Sequence, residues 1–533
     1  MRRTRFSGVV LAAVVLIVAF PTAAFAAGSG YIQIALTADP GTADPQKTTD
    51  SYCIPLNIYD RLVEAQTTSP GVSKIVPGLA EKWDVSADGL VYTFHLRKGV
   101  KFHNGETLKA DDVLFTFDRM LDPATKALNT DFLDMIAGAD DRMNGKANSV
   151  SGLKVVDDYT IQITLGSPFA PFLANLATPA GSIYNRKATV AAGDQFGLDP
   201  TKTVGTGPFM MESWTVNDSV VLKANPTYFR GKSKLAGIEI KVVPDANTQR
   251  LMFETGKLDV LDLDNAMSQV PYFLGSDKWK GQIVSGPRVG IFYYAINENI
   301  KPFDDVRVRK ALQLAIDRKT LLDKLYNGLG SLENGIFPKG LLGHNPSLAA
   351  IPYDPQKAKQ LLAQAGYPDG FDMEIAQVTD SPATLKINEA VQAMLGQVGI
   401  RVKINQMDSA TYFATRKQGE LPAYEANWSA DYNDPDNFVY TFFSEKNTAA
   451  RSYNYKNADV FAKLESTRQM TDQDKRMKVY QDLEKVIVQD DAAWVPLFSL
   501  NHLFVVQPAV KDFKVSWNGW SDMPYYGISL ASK

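Results

Sequence analysis

A single cysteine, Cys53, stands in a chain of 533 residues. That excludes a disulfide within the chain, since a bridge needs two thiols. Stability must come from ordinary burial, and 45% apolar content over this length supplies it, in two or three lobes rather than one core. Cys53 itself reads as a small buried apolar residue. Histidine is also scarce: His95, His103, His344 and His502 share no ligand spacing, which argues against a zinc site. The chain lacks Gly-x-Ser-x-Gly, His-Glu-x-x-His, a Cys–His pair and GxGxxG, and no GK[ST] follows the Gly205-x-Gly207 turn to make it a phosphate loop, so the common hydrolase and nucleotide-binding signatures are missing. A basic excess is missing too. Formal charge is −3, and nucleic acid or an anionic membrane is a poor match for it.

Long apolar runs are confined to the N-terminus. Arg2, Arg3 and Arg5 precede the apolar run Val9 to Phe20, and Ala24-Phe25-Ala26 fits a small-x-small cleavage site. Residues 1–26 therefore read as a secretory signal peptide. The run falls short of the ~20 residues of a membrane span. No cysteine follows the cleavage site to take a lipid. Removing three arginines from a chain of −3 leaves −6 on a product expected to be free in a periplasm.

Strand and helix periods mix along the rest. Tyr31 to Leu36 alternates as a first strand, and Leu90 to Leu96 alternates between the turns Asp88-Gly89 and His103-Asn104-Gly105. Val113, Phe117 and Met120 have helical spacing, with Asp111 and Asp112 where a helix start favours carboxylates. Val220 to Leu222, Ile238 to Val243 and Gly290 to Ile296 predict strands. Asp304 to Leu322 predicts one amphipathic helix, with Val308, Ala311, Leu312, Ala315 and Ile316 as its stripe and Arg307, Arg309, Lys310 and Arg318 elsewhere. Pro355 to Ala365, Lys386 to Val398 and Asp474 to Gln489 predict further helices. Leu503 to Val506 and Phe513 to Val515 predict closing strands. Without strict alternation the class is α/β or α+β with lobes.

The richest segment is Asn427 to Phe438, NWSADYNDPDNF. Tyr424, Ala426 and Trp428 share one face of a strand that ends in turn chemistry at Asn433 to Pro435. A strand that ends in a turn holds Trp428 and Asp431 rigidly, a flat apolar wall beside a fixed negative charge, which suits an ammonium ligand. The alternative is a solvated acidic loop beside a core tryptophan. A calcium loop is excluded, because Pro435 sits where a ligand is needed and the required glycine is missing.

This segment resembles the W-x-x-D-x-x-x-P stretch of the family 5 extracellular solute-binding proteins, the periplasmic peptide, nickel and opine receptors of ABC importers. Val76 to Phe117 is similar to that family's signature region. VGTGPF at 204–209, ANPTYFRG at 224–231, FDDVRVRKALQLAIDR at 303–318 and YDPQKAKQLLAQAGYPDGF at 353–371 follow in the family's order. The resemblance implies an α/β bilobal periplasmic-binding-protein type II-like fold with an additional inserted lobe. Clasping lobe I would hold 28–66, 192–291 and 503–533, the inserted lobe 67–191, and clasping lobe III 292–502. Two strands would cross between the clasping lobes, near 288–297 and 499–506. It implies a monomeric receptor without catalysis, cofactor or metal, which closes over a small solute, most simply an oligopeptide. The receptor would deliver it to an inner-membrane ABC permease whose own subunits use ATP. Alternatives are a receptor for an opine, a cationic amino-acid derivative, a nickel chelate or an oligosaccharide, and more distantly a secreted glycoside hydrolase using Asp431 with Asp434 or Glu425.

By the same resemblance Asp431 would pair with a peptide's α-ammonium and Trp428 would wall the cavity. Tyr432 lines the cavity or buries its ring. Asp434, Pro435, Asp436 and Asn437 hold the turn. Gly205 and Gly207 bring backbone amides near a ligand or make a tight turn. Tyr293, Tyr294 and Asn297 lie on a crossing strand, where period 2 lets only one tyrosine face a ligand. Asp44 to Thr49 and Tyr52 edge the cleft or form a plain loop. Trp517 and Trp520 read as core or lobe-surface residues. Two departures stand out. The stretch Ala376 to Glu389 offers Asp380 and no arginine where dipeptide receptors grip a carboxylate. Glu425 and Ser429 replace an arginine and a cysteine of some oligopeptide receptors. Strict dipeptide binding is therefore disfavoured.

Overall fold

A computed structural model describes residues 30–49 and 51–531, so the signal peptide assigned to 1–26 lies outside the described residues. The first sheet orders its strands Tyr31–Leu36, Gly237–Val242, Ser219–Ala224 and Phe209–Thr215. Alternation builds its core. Ile32, Ile238 and Leu222 form one cross-strand row and Ile34, Ile240 and Val220 the next, all buried.

A second, antiparallel sheet orders Ala80–Val85, Val91–Leu96, Thr160–Thr164 and Leu153–Asp157. Tyr92, Phe94 and Leu96 share an apolar core with Val113, Phe117 and Met120 of the helix Ala110–Leu121. The Asp112 carboxylate accepts the Lys109 amide at 3.0 Å, which closes the start of that helix as its spacing predicts. Before this sheet comes the hairpin Val63–Ser69 and Val72–Pro77, turned through Gly71 at φ +77°.

The largest sheet is organised on one strand of 13 residues, Trp494–Val506. Alternation predicts only Leu503 to Val506, and the resemblance a crossing strand near 499–506; the observed strand starts earlier, at Trp494. Pro496 lies within it, opposite Tyr293 at a bulge, where strands tolerate proline. The later half of the strand pairs with Ile283–Pro287 and Val260–Asp262, the earlier half with Gly290–Ile296 and Gly330–Leu332. Ala423–Ser429, Asp372–Val378 and Arg401–Met407 extend the sheet beyond Gly290–Ile296.

His502, fully buried on this strand, faces acceptors on both sides. Nε2 lies 2.7 Å from Asp262 Oδ1, and Nδ1 lies 2.6 Å from the Gly519 carbonyl and 3.2 Å from Asp264 Oδ2. A neutral ring has one N–H, so this arrangement calls for imidazolium. Burial alone would lower its pKa, but Asp262 and Asp264 outweigh burial and the opposing Arg288, and the value is raised above 6.5. A raised folded-state value gives stability that is complete below the unfolded value and lost as pH rises through the folded one. We expect the melting temperature to fall as pH rises above the free-imidazole value of about 6.5. His502→Gln should flatten that slope in differential scanning calorimetry; an unchanged slope would remove His502 as its cause.

Two expected elements differ. The helix predicted over 304–322 is two, Val306–Ala315 and Arg318–Tyr326, with Asp317 accepting the Thr320 amide at 3.0 Å to start the second. The apolar stripe is buried as expected, but Arg309 and Arg318 are buried too. Carbonyls receive them: Phe303 and Asp491 take Arg309, Ile351 and Pro496 take Arg318. Phe513 to Val515 joins no sheet; Val510–Lys511 and Ser529–Leu530 pair instead.

Candidate ligand-binding site

The strand Ala423–Ser429 ends at the indole of Trp428, and the helix Asp436–Phe443 begins after Pro435. Asn437, in the first turn of that helix, ties the two ends together. Its Oδ1 accepts from the Asp431 amide at 3.0 Å and from Trp428 Nε1 at 3.3 Å, while its Nδ2 donates to Asp431 Oδ2 at 2.9 Å. One buried amide therefore fixes both the aromatic plane and the carboxylate. Beneath it, Asp434 receives Arg476 through two parallel bonds of 2.5 and 2.6 Å and accepts the Asp436 amide at 2.9 Å. Asp436 in turn pairs with Arg468 at 3.0 Å and accepts from Tyr432 and Tyr480 at 3.2 Å each. The acidic residues of the segment thus divide, Asp434 and Asp436 into a buried scaffold and Asp431 into a cavity wall.

Two cavities meet at Asp431. The larger, about 590 Å³, has the hairpin residues Glu64, Thr67, Val72, Ser73 and Ile75 on one side and Gly340 to His344 on another. Asp431, Tyr432 and Asn433 face Trp517, Asn518, Trp520 and Asp522 across it. Asn433 accepts the Leu342 amide at 2.7 Å and donates to Ser73 at 3.1 Å, so it laces the hairpin to the loop. A smaller chamber of about 240 Å³ lies behind, with Trp428, Asp431, Tyr432, Asp131, Tyr440 and Arg451 in its walls. No cation of the described residues ion-pairs with Asp431. Burial pushes its carboxyl up to about 6; the Asn437 bond and Arg451 oppose the rise, and Asp131 adds to it. The site offers an amine a carboxylate that has no cationic partner of its own.

Other residues singled out in the sequence lie elsewhere. Tyr293 and Tyr294 do point to opposite faces of their strand, but both faces are covered. Tyr293 packs on Trp494 at 3.9 Å between ring centres, and the Tyr294 hydroxyl donates to Asn388 at 2.6 Å. Asn297 donates to the carbonyls of Gly419 and Leu421, at 2.9 Å each. Glu425 is on the buried face opposite Trp428, with one carboxylate oxygen unpartnered, and burial pushes its pKa up to about 7. Asp380 is exposed, and Asp44 is buried against Arg119 and Tyr184. None of these lines either cavity. Gly205 and Gly207 touch the backbone at Ile58: a Cβ on Gly205 would stand 1.9 Å from the Ile58 oxygen. We expect Gly205→Ala to destabilise the fold by about 1–3 kcal/mol, read in a thermal melt, with ligand affinity of the folded fraction unchanged.

Trp517 and Trp520 line the cavity, where core or lobe-surface roles were the main expectation and a ligand role the lesser one. Trp520 stacks on Tyr52 at 5.7 Å, and the Trp517 amide donates to Thr67 at 3.0 Å. The hairpin and the Gly340 to His344 loop carried no sequence signal for a site at all.

Comparison with known proteins identifies the family. Over 492 residues the chain is 33% identical to heme-binding protein A of Haemophilus influenzae, covering 89% of this chain and 87% of that one. It is 32% identical over 486 residues to the dipeptide-binding protein of Escherichia coli, covering 88% and 87%. Its fold matches the ABC transporter-associated periplasmic binding protein DppA of Helicobacter pylori, solved in complex with peptide STSA, with a TM-score of 0.76 at 30% identity over 95% and 99% of the two chains. The profile of bacterial extracellular solute-binding proteins, family 5, middle region, matches residues 74–450, and the chain belongs to this family of binding proteins, not enzymes.

Proposed function

We propose that this chain is the periplasmic receptor of an ABC import system and that it closes over a short peptide, whose ammonium it holds at Asp431. The observation that carries this reading is the carboxylate of Asp431, fixed by Asn437 beside Trp428 at the junction of two cavities and without a cation of its own. A volume of about 590 Å³ is in the range of small-ligand sites. The names of the Escherichia coli and Helicobacter pylori relatives support a peptide. A signal peptide at 1–26 would export the chain, and a monomer would hand its cargo to the permease. The lobe division 28–66 with 192–291 and 503–533, then 67–191, then 292–502, belongs to this proposal. A separate apolar core drawn from residues between Leu62 and Val204 supports the inserted lobe.

Native mass spectrometry of protein purified from its host tests the reading. Co-purifying peptides of a few residues, released on unfolding, are expected. A non-peptide solute in their place would overturn the peptide assignment and leave the receptor role; turnover of a peptide or glycoside pool would overturn the receptor role.

A further inference from the structure

The small chamber behind Asp431 holds a guanidinium that has no hydrogen-bond or ion-pair partner among the described residues. Arg451 lays its guanidinium over Trp428 at 5.1 Å and over Phe442 at 5.3 Å. Its hydrogen bonds are made by its backbone alone: the amide donates to the Asn447 carbonyl and the carbonyl accepts from Tyr424. Among the described residues no carboxylate lies within ion-pair distance of it. The other cations of the chamber are committed, Arg468 to Asp436 at 3.0 Å and Lys446 to Asp134 at 3.9 Å. Asp131 and Asp431 both feel the charge of Arg451 without contacting it. Asp131 lines the chamber as well, and burial of its carboxyl raises its pKa against the pull of Arg451 and Lys446. Arg451 is half-buried, rigidly stacked and has its planar donors free.

An ammonium docking alone on Asp431 would enter beside this positive charge and meet its repulsion. A head group that brings an anion with the ammonium removes that penalty and supplies Arg451 with a charge-assisted partner. We propose that Arg451 is a second ligand contact, which selects solutes carrying a carboxylate a few bonds from the ammonium that Asp431 holds. The carboxylate could sit on the side chain of an acidic first residue or on the α-carbon of a γ-linked glutamyl head. Both present the same pair of charges. The inference rests on the reading that Asp431 takes the ligand's ammonium.

The probes are Glu-Ala-Ala, its neutral isostere Gln-Ala-Ala, and γ-Glu-Ala, titrated by calorimetry into the wild type, Arg451→Met and Asp431→Asn. We expect Glu-Ala-Ala to bind about ten- to a hundredfold tighter than Gln-Ala-Ala. Arg451→Met should erase that ratio, and Arg451→Lys, which keeps charge but loses the planar fork, should retain part of it. Tighter binding of γ-Glu-Ala than of Glu-Ala-Ala would identify the α-carboxylate as the preferred source, and the reverse order the side chain. If Gln-Ala-Ala binds as well as Glu-Ala-Ala while Asp431→Asn abolishes both, the proposal for Arg451 falls and the peptide reading stands. If no probe binds, the peptide reading fails and this proposal falls with it. A merely structural Arg451 would lower all affinities together and leave the ratio unchanged.

Discussion

Asp431→Asn is expected to weaken binding of an ammonium ligand by about 2–5 kcal/mol, roughly thirtyfold to several thousandfold. Asparagine keeps the shape and can still accept from Asn437, so the loss measures the charge. The same carboxyl predicts a pH profile. Its pKa is raised to about 6 in the empty protein, and the ammonium needs the ionised form. Affinity should be greatest above that value and drop about tenfold for each pH unit below it, because protons compete with the ligand. For the empty protein the sign is opposite. A carboxyl raised above its unfolded value favours the protonated fold, so mild acid stabilises the unliganded state at this residue. Calorimetry at pH 5 and pH 7.5 on both proteins separates the effects: the wild type should lose affinity in acid and Asp431→Asn should not. A flat wild-type profile would place the ammonium elsewhere.

The second large effect is on stability. Arg476 is completely buried and its bidentate pair with Asp434 lies under the turn that carries Asp431. Arg476→Met leaves Asp434 charged in a dry interior, and we expect a loss of about 3–5 kcal/mol. Adding Asp434→Asn removes the stranded charge and should recover part of it. Stability is read in thermal melts and the turn in ligand titration. The double variant is predicted to regain part of both melting temperature and affinity, since an asparagine at 434 can still accept the Asp436 amide that orders the start of the Asn437 helix. Equal stability of single and double variants would show that the pair is not the source of the loss.

Local chemistry explains what was legible in the sequence. Alternation in Ala423–Ser429 and turn residues after it placed Trp428 at a strand end, and helical spacing placed Val113, Phe117 and Met120 in a core. Tyr293 and Tyr294 mark the limit of such reasoning. Period 2 separates their faces, but whether a face meets solvent, ligand or another layer depends on distant chain. Trp494 covers one face and the Asn388 helix occupies the other. The end of the long strand was legible near 499–506, but its start at Trp494, beyond the bulge at Pro496, depends on the pairing with Tyr293. The hairpin walls were hidden because their residues are half-exposed, so VEAQTTS shows no apolar face. Asn437 was read as a turn holder. Its bonds to the indole and the carboxylate are tertiary, and one asparagine among several gives no sign of them.

The long strand has a mechanical consequence. Thirteen extended residues span up to about 43 Å, less the shortening at the Pro496 bulge, so the strand has little length to give under load. It is an inextensible tether between the part of the molecule paired to Ile283–Pro287 and the part paired to Gly290–Ile296. Those parts can pivot about it or twist along it, but they cannot draw apart. Under the lobe division proposed above, the clasping lobes would open and close by pivoting about this strand.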